Sequence, residues 1–141
     1  MSILLVRHAS AGKRKQWHGD DRLRPLDEQG REQAGRLPAA VREFAIDRIC
    51  SSPYVRCRQT VEPLALALDL AIEERDELAE GAGRYAPLAL AFELGEQTAV
   101  LCTHGDVIFD LLGEETKKGS TCVLELVDGQ VVRRGYLPPA P

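Results

Sequence analysis

Short, nearly unbroken apolar runs alternate along the chain with longer segments in which apolar residues recur at helical spacing. The first run, Ile3-Leu4-Leu5-Val6, stops at Arg7-His8, and a second, Thr98 to Thr103, stops at His104-Gly105. Runs this short and this continuous predict strands buried on both faces, as in parallel sheets. Weaker strands are expected at Arg48–Ser51 and Ala71–Glu74. Asp27 is placed to cap a helix reaching about Phe44, with Ala34, Leu37, Val41 and Phe44 at helical spacing. Pro53 suits the first turn of a second helix, running through about Leu68. Gly81 and Gly83 break the chain before a third helix at Tyr85–Leu94, and a short fourth covers Asp106–Leu112. Thr121–Val127 and Gln130–Tyr136 flank Asp128-Gly129, a hairpin signal. Pro138, Pro139 and Pro141 then close the structured chain.

Helices between the earlier strands imply crossover connections, and the terminal hairpin adds antiparallel strands at one edge. The expected class is therefore α/β, a three-layer α/β/α arrangement around a mostly parallel central sheet with an antiparallel edge. With 141 residues, 44% of them hydrophobic, and no repeat, linker or low-complexity stretch, one domain over 1–141 is expected. The run at Ile3–Val6 is too short for a targeting signal and no stretch approaches a membrane span, so a cytoplasmic protein without membrane contact is expected. Cys50, Cys57, Cys102 and Cys122 lie in or beside apolar segments without metal-binding spacing, and read as reduced, buried thiols.

Charge changes the picture. Through Arg58 the chain has 12 Lys and Arg against 7 Asp and Glu, a balance of +5; the remainder has 6 against 15, or −9. The positive half carries Arg7, Arg56 and the run Lys13-Arg14-Lys15. An electropositive cleft in an acidic protein suits a small phosphorylated substrate and argues against a nucleic acid polymer, which needs a broad basic face. Lys13 is a candidate substrate contact on that loop, the alternative being a solvated surface. Trp17 and His18 beside it read as loop residues.

In a parallel sheet the carboxyl ends of the strands gather at one edge, so Arg7, His8, Arg56 and His104 can meet around one anion. Ser10 and Thr103 flank the two histidines; each hydroxyl could touch a phosphate or bond the local backbone. Asp106 reads as a helix cap.

These segments resemble the histidine phosphatase superfamily, the phosphoglycerate mutase-like or RHG family. The matching pieces are Arg7-His8, Ser52-Pro53-x-x-Arg56-x-x-x-Thr60, His104-Gly105, and Arg24-Pro25-Leu26-x-x-x-Gly30-x-x-Gln33-Ala34. Their order spans nearly the whole chain. The short length and Ala9, where Gly is commoner, look most like the small SixA-type phosphohistidine phosphatases. They are also similar to the phosphatase half that follows a Nudix domain in some nucleotide-cleaning enzymes, in which Gly12 to Asp21 would match a basic loop.

The resemblance implies a nucleophilic His8, phosphoryl oxygens held by Arg7 and Arg56, and His104 donating to one of them. Nearby positive charge favours the neutral His8 that attack requires. The family's general acid is a carboxylate between the second Arg and the second His. Here that means Glu77 or Glu80, with spacing to the following Gly favouring Glu77. No metal or other cofactor is expected. The substrate would be a small phosphorylated metabolite or nucleotide, or else a phosphohistidine protein in signalling. A catalytically silent phosphate-binding module is the remaining reading.

Overall fold

A computed structural model describes residues 2–140; Pro141, one of the closing prolines, lies outside the described residues. The elements in chain order are β1 (Ile3–Arg7), α1 (Glu28–Ala40), β2 (Arg48–Ser51), α2 (Val55–Leu68), β3 (Ile72–Glu74), α3 (Tyr85–Glu93), β4 (Ala99–Thr103), α4 (Gly105–Leu112), β5 (Thr121–Val127) and β6 (Gln130–Leu137). The strands form one six-stranded sheet in the order β3-β2-β4-β1-β5-β6. The four on the β3 side are parallel, and β5 and β6 join them antiparallel.

The continuous apolar runs are explained by burial on both faces. Leu4 and Val6 of β1 pack with Ile49, Val100 and Cys102 beneath α1 and α2, through Leu37, Cys57, Val61 and Leu64. Ile3 and Leu5 point the other way, joining Cys50, Ala99 and Leu101 beneath α3 and α4, through Leu90, Ala91 and Ile108. Successive side chains of a strand face opposite layers, so a three-layer protein needs every position apolar. Leu4 and Leu5 are fully buried, which contributes roughly 2 kcal/mol each. Truncating either to Ala would cost about 2–5 kcal/mol.

Element ends differ from the sequence expectation in three instructive places. Asp27 does cap α1, its Oδ1 accepting from Gly30 N–H at 2.8 Å. The helix nevertheless ends at Ala40, with Val41 as its C-cap and the Val41 N–H bonded to Leu37 O at 3.1 Å. Val41 stays buried and Phe44 packs against the same core through a turn. Pro53 precedes α2 instead of opening it: Ser52 Oγ accepts from Tyr54 N–H at 3.2 Å, and Tyr54 is the N-cap. His104, not Asp106, is the N-cap of α4, and the Asp106 carboxylate instead accepts from Gly81 N–H at 2.8 Å. The hairpin turn follows expectation, with Asp128 at φ 49° and Gly129 at φ 78°, the two positive values that a type I′ turn requires. All four cysteines are buried and free.

Candidate active site

Strand register assembles the site. β1 and β4 lie side by side with Arg7 opposite Thr103, and β2 flanks β4 with Ser51 opposite Cys102. The chain leaves all three strands at the same edge, and His8 N–H reaches Thr103 O at 3.1 Å while Ser52 N–H reaches Cys102 O at 2.9 Å. His8, His104 and Ser52 are thereby neighbours at the carboxyl edge of the sheet, where open α/β sheets bind ligands. The two imidazoles meet edge to face, centroids 5.4 Å apart.

His8 is held in one tautomer. Its Nδ1 lies 2.8 Å from Ala9 O, and a carbonyl only accepts, so Nδ1 carries the proton and Nε2 keeps its lone pair. Burial pushes the His8 pKa down to about 3; the Ala9 bond opposes this, while His104, Arg56 and Arg7 add to it. A neutral imidazole follows at any ordinary pH.

His104 is fixed from the other side. Ser52 Oγ lies 2.8 Å from His104 Nε2 and already accepts from Tyr54 N–H, so its own proton is free to go to Nε2. In the tautomer in which Ser52 donates to Nε2, the ring proton sits on Nδ1. The Tyr54 ring packs edge-on to His104 at 4.6 Å, and the Arg56 guanidinium lies 4.9 Å from the Tyr54 centroid.

Both arginines are locked from behind. Arg56 is fully buried and donates to Asp21 O at 2.8 Å and Asp21 Oδ2 at 3.0 Å. Arg7 donates to Thr116 O and lies across Gly105, where a Cβ would come within 2.8 Å of Cζ. Burial lowers the Arg7 pKa, against the field of Glu115 and Asp106. Asp21 also receives Arg24 Nε at 2.9 Å, and Arg14 Nε lies 3.6 Å away. Burial alone would raise the Asp21 carboxyl, but Arg24, Arg56 and Arg14 hold it below its ordinary range.

These groups open onto a cleft of about 850 Å³, lined by Arg7, His8, Arg24, Arg56, His104 and Gly105 together with loop and helix residues named below. Among the described residues, the buried side-chain polar atoms lacking a protein partner are Arg7 Nε, Arg56 Nε, His104 Nδ1 and Thr116 Oγ1. All belong to residues lining this one cleft. An unpaired buried donor costs about 1–3 kcal/mol, and three N–H donors around a neutral imidazole make a receptor for a tetrahedral anion.

Residues 3–90 match the family model described as histidine phosphatase superfamily, branch 1. The chain belongs to this superfamily. The 8-oxo-(d)GTP phosphatase of Mycolicibacterium smegmatis is 40% identical over 98% of this histidine phosphatase chain but 48% of its own length, so the chain spans about half of that relative. A phosphohistidine phosphatase SixA homolog of Haemophilus influenzae is 26% identical, covering 81% of this chain and 79% of its own. The fold matches the protein histidine phosphatase SixA complexed with tungstate at TM-score 0.78, 22% identity, over 98% and 97% of the two chains.

The structure brings together Arg7, His8, Arg56, His104 and Lys13, and separates three other candidates. Glu77 does not line the cleft: the turn Asp76–Leu78 directs it onto Arg75, whose NH2 donates at 2.7 Å. Those bonds hold the Glu77 carboxyl below its ordinary range. Glu80 lines the cleft instead, bonded to Arg14 and 3.8 Å from Arg56 NH2. Ser10, expected as a substrate contact, donates to Asp27 Oδ2 at 2.7 Å, completing the α1 cap. Thr103 donates to Leu78 O at 2.6 Å and supports the loop that presents Glu80. Sequence reasoning passed over Asp21, which holds Arg56, and over Arg24, which lines the cleft and which it read only as part of a matching segment of the resemblance. It also passed over Lys118, Phe109 and Asp110, which line the cleft. The adjacent acids Asp20-Asp21 inside a basic loop were the available signal.

Among the described residues, no helix is long and apolar enough to cross a membrane.

Proposed function

We propose that this chain is a phosphatase working through a phosphohistidine on His8, and that its substrate is a nucleotide. The observation carrying this reading is the set of unpartnered buried donors, Arg7 Nε, Arg56 Nε and His104 Nδ1, around a His8 whose Nε2 retains its lone pair. In the first step Nε2 attacks phosphorus while the bond to the leaving oxygen breaks. The three donors bear the charge on the equatorial oxygens, with no reorganisation needed at that moment. Glu80, as the acid, gives its proton to the leaving oxygen. In the second step water attacks the phosphohistidine, Glu80 takes the proton, and the P–N bond breaks to return the electron pair to Nε2.

Two observations favour a nucleotide. Lys13, Arg14, Lys15 and Lys118 line the cleft beyond the His8 floor, where a second phosphate would lie. The relative named as an 8-oxo-(d)GTP phosphatase is also 40% identical over nearly the whole chain. A second reading, dephosphorylation of a phosphohistidine protein, is favoured by the similar length of the SixA homolog.

The test compares dGDP, dGTP and a phosphohistidine peptide, using wild type and His8→Ala. The nucleotides should be hydrolysed with at least about tenfold higher kcat/KM than the peptide, and His8→Ala should lower turnover by about 10⁴-fold or more. Acid-labile phosphate should be trapped on the wild type alone. Equal rates in wild type and His8→Ala would overturn the mechanism, and preference for the peptide would overturn the substrate.

A further inference from the structure

The cleft has two chemically opposite walls. One is the loop carrying Lys13, Arg14 and Lys15, with Lys118 from the loop after α4; the other is the outer face of α4 carrying Asp106, Phe109 and Asp110, with Glu115 beyond it. On α4, Gly105 and Phe109 are one turn apart, as are Asp106 and Asp110, so all four share a face. The opposite face, Val107 and Ile108, is buried in the core. Phe109 is 49% exposed in a helix that otherwise has core to pack against, and it borders the cleft. It stands five residues beyond His104, about 7.5 Å along the helix axis, leaving room between the phosphate floor and the ring for the rest of a nucleotide.

The carboxylates on this wall are not equivalent. Asp106 is engaged by Gly81 N–H, and Glu115 lies in the field of Arg7. Asp110 has no hydrogen-bond or ion-pair partner among the described residues. A carboxylate repels a phosphate and accepts from N–H groups, so this wall is suited to the part of a substrate that is flat, uncharged and rich in N–H donors.

We propose that Phe109 and Asp110 form the base-recognition half of the cleft, Phe109 stacking on a purine and Asp110 accepting from the adjacent lactam N–H and amino N–H of a guanine-type edge. This rests on the nucleotide reading above. A planar aromatic face against a base is favourable for any base, whereas a carboxylate facing two neighbouring N–H donors selects guanine over adenine, whose ring nitrogen at that edge is an acceptor. The buried donors on the floor set where the phosphate goes, and the two walls then fix which way round the substrate lies.

The experiment measures kcat/KM for GDP, ADP and methyl diphosphate, which has no base, in wild type, Phe109→Ala, Phe109→Trp and Asp110→Asn. Phe109→Ala should lose about tenfold or more on GDP, mainly through KM, and less than about twofold on methyl diphosphate, while Phe109→Trp retains GDP turnover. Asp110→Asn should lose about tenfold or more on GDP and leave ADP unchanged. Both positions are exposed, and unchanged thermal melting confirms that the variants fold. If either alanine or asparagine variant changes GDP and methyl diphosphate alike, or leaves GDP untouched in an enzyme that hydrolyses it, the base-recognition proposal fails alone. If the wild type treats GDP no better than methyl diphosphate and prefers a phosphohistidine peptide, the nucleotide reading fails and this proposal with it.

Discussion

The floor of the cleft and its mouth are built by opposite means. On the floor His8, His104 and Arg56 are buried and Arg7 is half-buried, and each is held from behind: His8 by Ala9 O, His104 by Ser52, Arg56 by Asp21, Arg7 by Thr116 O. At the mouth, Lys13, Lys15, Phe109 and Asp110 are exposed on a loop and a helix face. Electrostatic catalysis needs donors already aimed where charge will develop, so rigidity belongs on the floor. Selection among substrates tolerates mobility. The two regions should therefore answer mutation differently, in activity and in stability.

After His8→Ala, Arg56→Ala gives the largest expected effect. It removes a proposed phosphate donor and takes from Asp21 one of the three arginines that hold it, so activity should fall by about 10³-fold or more and stability by about 3 kcal/mol. Urea unfolding monitored by circular dichroism measures the second quantity. Wild-type stability in this variant would break the claim that the floor is also structural.

Glu80 and Glu77 sharpen the comparison within one loop. Both precede Gly81, yet Glu80 faces Arg14 and Arg56 while Glu77 faces Arg75 and lies off the cleft. Glu80→Gln should lower kcat on an alkyl phosphate by about 10²-fold, and much less on p-nitrophenyl phosphate, whose leaving group needs no proton. Glu77→Gln should change both by less than about twofold. Equal losses from the two variants would remove Glu80 as the acid.

His8 links the floor to pH. Its folded pKa of about 3 lies below the ordinary value of 6.5, so above pH 6.5 neither state binds the proton and the group contributes no pH dependence. Between pH 6.5 and 3 the unfolded chain takes up a proton that the folded chain refuses. Stability should therefore fall on acidification through this window, by at most about 1.4 kcal/mol per pH unit. His8→Gln should flatten that slope. An NMR titration of the His8 ring with a midpoint near 6.5 would contradict the burial argument.

Legibility in the sequence followed the same division. Strands β1 and β4 were readable because burial on both faces forces an unbroken apolar run, and the β5–β6 turn because Asp128-Gly129 suits two positive φ values. The floor was readable because Arg7, His8 and His104 sit at the ends of those runs. Glu77 was misplaced because spacing along the chain does not reveal which way a turn throws a side chain. Here the Asp106 bond to Gly81 and the Thr103 bond to Leu78 O orient the loop, and both cross between distant segments. Ser10 goes to neither of its two expected partners for a related reason: its hydroxyl donates to Asp27, a carboxylate that sequence inspection had assigned to the α1 cap alone. Phe109 was one apolar residue in an apolar helix until the structure showed its neighbours Val107 and Ile108 facing the opposite way.

Lys13 and Lys15 provide the smallest effect and the cleanest contrast with the floor. Both line the cleft and both are exposed, so their attraction for a substrate phosphate acts largely through solvent and is screened over about 10 Å at 0.1 M salt. Replacing either by Ala should raise KM for a nucleoside diphosphate by about two- to fivefold at low ionic strength, with kcat and stability unchanged, and the difference from wild type should fade as salt rises. Arg56→Ala should show no such recovery, because a buried donor touching the phosphate is scarcely screened. A salt-independent loss at Lys15 would mean that the mouth holds its substrate by a fixed contact, and the division between a rigid floor and a solvated mouth would then be drawn in the wrong place.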